Sequence, residues 1–111
     1  MIIDSSYLFD LMAEDPDAFS KGAELVETGE MQWLPTPVVA EAYYGVATAC
    51  STTTEQALRN RLLGYPRIEV DDEIARRAGE LLAAADDRAG ENAGVGAKDG
   101  YIAAMADVFD D

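Results

Sequence analysis

The spacing of apolar positions changes period several times along the chain, and each change predicts a new element. Met1-Ile2-Ile3 is a short continuous apolar run that stops at Asp4, the pattern of a brief buried strand. Ser5-Ser6 then predicts the cap of a helix carrying Tyr7, Leu8, Leu11 and Met12. Asp15-Pro16 restarts the helical pattern, with Phe19, Ala23, Leu25 and Val26 as the apolar face and Gly29 as the stop. Met31 to Pro35 reads as a second strand, and Thr36-Pro37 opens a helix to about Cys50. After Ser51–Thr54, a charged helix from Glu55 to Leu63 stops at Gly64, and Arg67 to Val70 reads as a third strand. Asp71 or Asp72 caps a long helix closed by Gly90. A glycine-bearing loop from Glu91 to Gly96 then leads to a last helix from about Asp99.

The resulting order is β-α-α-β-α-α-β-α-α, with no internal repeat or linker. Strands alternating with helices predict one α/β domain, residues 1–111, with a parallel sheet. In such sheets chemistry sits beyond the carboxyl ends of the strands.

Composition narrows the chemistry. The 111 residues include 22 Asp plus Glu, 8 Lys plus Arg and no histidine, for a net charge of −14. At 49% hydrophobic residues the acidity does not imply disorder. The lack of histidine excludes Ser-His-Asp and Cys-His catalysis, and a single cysteine, Cys50, excludes an internal disulfide or a cysteine cage. Apolar runs are too short for a membrane span, and the N-terminus has no basic leader segment, so a cytoplasmic protein is expected. Nucleic-acid binders usually carry a basic footprint, which the charge total does not provide. Lysine is scarce, with Lys21 and Lys98 against six arginines, and this acid-rich, lysine-poor balance is expected of a halophilic surface.

Three acids have distinctive settings. Asp4 falls at the junction of the first strand and helix, as a cap or as a carboxylate facing the crevice. Glu41 is the only charged side chain between Pro37 and Cys50. It either lies on a narrow solvent stripe near a helix amino end or points at a partner cation or metal. Asp99 opens the last helix, as its cap or as a site acid. Carboxylates without imidazole or thiolate are hard ligands suited to Mg²⁺ or Mn²⁺, which can activate water for phosphodiester cleavage. Arg59, Arg61 and Arg67 would grip a phosphate backbone or pair with surface acids, whereas Tyr43 and Tyr44 read as core and interface. Asp86-Asp87 with Gly90-Glu91 misses the calcium-loop spacing and reads as a solvated helix end.

Three segments, Met-Ile-Ile-Asp-Ser-Ser, Thr-Pro-Val-Val-Ala-Glu-Ala-Tyr-Tyr-Gly and Gly-Ala-Lys-Asp-Gly-Tyr-Ile-Ala-Ala, resemble the PIN domain, and within it VapC-type toxin ribonucleases. The resemblance runs the length of the chain in order. It implies a three-layer fold with a central parallel sheet flanked by helices, in which the segments present supply strand order 3-2-1. Family members continue into further strands and a fourth polar or acidic position, so the last strands are expected to be missing here; Asp107, Asp110 and Asp111 do not match that position. The resemblance implies a metal-dependent endoribonuclease using Mg²⁺ or Mn²⁺, with Asp4, Glu41 and Asp99 catalytic. Asp4 and Asp99 would hold the metal, and Ser6 would position water or substrate. It also implies an RNA substrate, a homodimer and a VapB-like antitoxin whose tail covers the site. The competing expectation is a non-catalytic PIN relative that serves as a protein-binding module.

Overall fold

The computed structural model describes residues 1–48, 55–89 and 96–109. Helix α1 (Ser5–Met12) follows the N-terminal segment, and α2 (Pro16–Thr28) packs against it. Strand β1 (Leu34–Pro35) runs directly into α3 (Thr36–Thr48). Then come α4 (Glu55–Leu62), β2 (Arg67–Ile68), α5 (Asp72–Ala89) and α6 (Ala97–Val108).

Local signals account for most of these boundaries. Asp4, Asp15 and Asp71 each accept a backbone N–H three residues on, from Tyr7 (2.8 Å), Ala18 (3.1 Å) and Ile74 (2.9 Å). Each satisfies an amide that the helix start would otherwise leave unpaired. Asp71, not Asp72, therefore caps α5. Gly29 ends α2 in the left-handed conformation at φ +74, which costs a residue without Cβ little.

The sheet is parallel and shorter than the apolar pattern predicts. Leu34 pairs with Arg67 and Pro35 with Ile68, while the first segment joins through a single bridge, Ile2 to Trp33. Ile3 donates to the Trp33 carbonyl and Trp33 to that of Met1, both at 2.8 Å. Met31 and Gln32 stay outside the ladder, as do Glu69 and Val70. The spatial order places β1 between the N-terminal segment and β2, matching the expected 3-2-1.

Alternation through this small sheet builds two cores. Ile3 and Leu34 face one side with Leu8, Val38, Ala42, Leu58 and Leu62, so α1, α3 and α4 cover that face. Ile2, Trp33 and Ile68 contribute to the other, with Ile74, Ala78, Ala104 and Met105 of α5 and α6. Neighbouring residues on a strand point to opposite faces, and helices cover both, giving a three-layer α/β sandwich.

Glycine sets the fit of the second layer. A Cβ on Gly100 of α6 would lie 2.8 Å from Leu82 Cγ of α5, so the helices meet where a side chain is absent. Among the described residues no helix is long and apolar enough to cross a membrane.

Tyr43 packs on the first core and Tyr44 is 70% exposed. Two expectations about helix caps change. Asp4, not Ser5-Ser6, caps α1, because its carboxylate reaches the Tyr7 amide. The last helix begins at Ala97 with Gly96 as its cap residue, so Asp99 lies in the first turn and is not the N-cap. Cys50, the Ser51–Thr54 segment, Gly90, Glu91, Asp110 and Asp111 lie outside the described residues.

Candidate active site

The first segment, passing from Ile3 into α1, and β1, passing into α3, bring two helix starts to the carboxyl end of the sheet. The start of α6 approaches the same end through its contacts with α3. Glu41 stands on the second turn of α3.

These elements meet through one lysine. Lys98 Nζ donates to both carboxylate oxygens of Glu41, at 3.1 and 3.2 Å, and to Ser5 Oγ at 3.2 Å. The Ser5 hydroxyl in turn hydrogen-bonds Glu41. That bond is the main reason the Glu41 carboxyl sits below its ordinary range; Lys98 adds to the effect and partial burial opposes it. Glu41 is thus held ionised. The cation facing Glu41 is Lys98.

The predicted acids flank this cluster. Asp4 precedes Ser5, is exposed, and commits Oδ1 to the Tyr7 amide as the cap of α1. Asp99 follows Lys98 and is exposed in the first turn of α6. Ser6, beside Ser5 on α1, is exposed. Among the described residues no three acids are grouped closely enough to enclose a metal ion. The contacts therefore join Ser5, Glu41 and Lys98 directly, with Asp4 and Asp99 as chain neighbours of that trio.

The donor chemistry still suits a divalent ion. Mg²⁺ keeps several waters and is commonly held by one or two carboxylates, without a closed protein cage. Asp4 and Asp99 are exposed carboxylates of the oxygen-donor type such an ion takes, but among the described residues they are not grouped into a site.

Ser5 and Lys98 are the site residues that motif reading passes over. The signal for Lys98 was its scarcity: the chain has two lysines, and one immediately precedes a candidate acid.

The arginines have structural partners. Arg61 donates to the Leu11 carbonyl at 2.7 Å and lies over the Phe19 ring. Arg67 donates to the carbonyls of Leu62 (2.9 Å) and Tyr65 (2.5 Å), and Arg59 pairs with Glu55 at 3.6 Å. Asp107 pairs with Arg77 at 2.6 Å, joining α6 to α5.

The fold is a parallel α/β sandwich with one acid, Glu41, paired to Lys98 and Ser5 near the carboxyl ends of its strands. The chain belongs to the PIN domain family, whose model matches residues 1–109. PIN domains are generally nucleases, hydrolases acting on nucleic acids. No curated protein and no solved structure matches the chain.

Proposed function

We propose that this PIN domain is a metal-dependent endoribonuclease of the VapC type, the toxin of a toxin–antitoxin pair. The reading rests on one observation above all. The neighbours of Asp4 and Asp99, Ser5 and Lys98, converge on Glu41 at the carboxyl end of the sheet. Within a nuclease family, that convergence supports reading Asp4 and Asp99 as the metal ligands.

Asp4 and Asp99 would hold Mg²⁺ or Mn²⁺. When bound, the ion supplies activated water and neutralises charge on the phosphodiester. The chain's own residues do the rest. Asp4 keeps its carboxylate oriented through the α1 cap, in which Oδ1 accepts from the Tyr7 amide. Glu41 stays ionised and orients water by accepting its hydrogen bonds. Ser6, exposed beside Ser5 on α1, would position water or substrate. A bound divalent ion would offset negative charge locally, so the −14 total is compatible with an RNA substrate. A homodimer and a VapB-like antitoxin complete the proposal.

The test is cleavage of a pool of total RNA with Mn²⁺ and with chelator. Wild type cuts only with metal. Asp4→Asn keeps the helix cap, because asparagine caps as well as aspartate, yet loses at least about tenfold in rate. Metal-dependent cutting that survives Asp4→Asn at the wild-type rate overturns the assignment.

A further inference from the structure

Lys98 sits in one helix layer and bonds into the other. Helices α1 and α3 cover the first core, and α6 covers the second. From the first turn of α6 its ammonium reaches both Glu41 oxygens on α3 and the Ser5 hydroxyl on α1, across 57 and 93 residues of sequence. Little else fixes this turn locally. The first amides of a helix have no partner within it, and Gly96 offers no side chain to cap them. Along its length α6 packs chiefly on α5.

The faces of α6 give the contact a direction. Gly100 and Ala104, one turn apart, are buried, Gly100 against Leu82 of α5 and Ala104 in the second core. Lys98 and Ile102 are also one turn apart and share a different face. Ile102 packs against both cores. Lys98 is therefore the polar end of the face that α6 turns toward the first layer. Its acceptors fix the spacing of the α6 start from α1 and α3, and the rotation of that first turn. Ser5 directly follows Asp4, and Lys98 directly precedes Asp99.

We propose that Ser5, Glu41 and Lys98 form a strut between the two helix layers at the carboxyl end of the sheet, which sets how the helix starts bearing Asp4 and Asp99 stand to one another. Ser5 and Lys98 are then positioning residues for RNA cleavage. That consequence rests on the nuclease reading above, whereas the strut itself needs no bound ion. Glu41 and Lys98 are each about one-third exposed, so losing the pair loosens one turn without unfolding the domain.

Amide hydrogen exchange reads the strut directly. Lys98→Met keeps the apolar stem and removes the charge. It is expected to speed exchange at Gly100, Tyr101 and Ile102 about two- to fivefold, the scale of a partly exposed ion pair. Ala104 and Met105, buried in the second core, keep the wild-type rate. Lys98→Arg restores slow exchange, and so does the charge swap of Glu41→Lys with Lys98→Glu. Kinetics read the consequence, with Mn²⁺ and an RNA that the wild type cuts. Lys98→Met is expected to lower kcat about ten- to hundredfold and leave KM within about twofold, the effect of misplaced groups around a bound substrate. Lys98→Arg recovers most of kcat.

Unchanged exchange at the first turn in Lys98→Met overturns the strut and leaves the nuclease reading standing. So does faster exchange spread evenly along α6, which marks a general loss of stability. A raised KM with an unaltered kcat makes Lys98 an RNA contact and overturns its positioning role. A wild type that cuts no RNA overturns the nuclease reading and the positioning role with it, while the exchange rates still decide the strut.

Discussion

Lys98 Nζ reaches both oxygens of Glu41, at 3.1 and 3.2 Å, from the start of α6 to the second turn of α3. The contact makes Glu41 part of a three-helix junction with Ser5, and its ionisation is the first property to test. The Ser5 hydrogen bond is the largest influence lowering Glu41 from its ordinary value of 4.5. A carboxyl lowered on folding adds stability that is complete above 4.5 and is lost as pH falls through the folded value. Ser5→Ala is expected to move the Glu41 midpoint upward in a carboxyl NMR titration. The stability gap between wild type and variant then closes in acid, below both midpoints. An unchanged Glu41 midpoint would contradict the hydrogen-bond assignment.

The meeting of α5 and α6 makes opposite predictions for two glycines. Gly100→Ala brings a Cβ to 2.8, 2.9 and 3.2 Å from three Leu82 side-chain atoms. It should destabilise by about 1–3 kcal/mol, an overpacking cost. Gly79 lies on an exposed stretch of α5, where an added Cβ would meet nothing within 4 Å. Gly79→Ala should therefore stabilise by about 0.5–1 kcal/mol through helix propensity. Urea unfolding of both variants checks the pair, and a smaller Gly100→Ala penalty in a Leu82→Ala background would identify the clash as the cause.

Tyr7 lines an open groove of about 590 Å³ on the α1–α2 side, together with Gln32. Its hydroxyl is buried there without a hydrogen-bond partner among the described residues, and so is Gln32 Oε1. Burial of an unpaired hydroxyl costs about 1–3 kcal/mol, so Tyr7→Phe should be neutral or stabilising by about 1 kcal/mol. Burial, with a contribution from Tyr65, also raises the Tyr7 ionisation above 10.0. Stability tied to its neutral form is complete below 10.0 and is lost as pH rises through the raised value. An alkaline absorbance titration of wild type should therefore show a late tyrosine that Tyr7→Phe removes.

The −14 charge predicts a response to salt. Raising KCl from about 0.1 to 1 M shortens the screening length from roughly 10 to 3 Å, relieving repulsion that is denser in the folded chain. The melting temperature should rise across that range in a calorimetric scan. A flat or falling profile would count against a salt-adapted surface.

Helix α1 is capped by Asp4 and not by Ser5-Ser6, and Asp71 was one of two candidates for α5, whereas the element order, the helix cap at Asp15 and the α/β class were legible in the sequence. Each depends on interactions within a few residues: a side chain bonding an amide three positions on, or an apolar period set by the backbone. The acids at the element junctions were visible for the same reason. The strand lengths were not, because a strand exists only where a partner lies in register. Leu34 and Pro35 find Arg67 and Ile68, whereas Met31 and Val70 find no such partner in the ladder. The tertiary structure alone decided that Glu41 meets Lys98 and Ser5, and that Gly100 must yield its space to Leu82. Those contacts join residues far apart in the chain, and only the packing of α1, α3, α5 and α6 around the small sheet selects them.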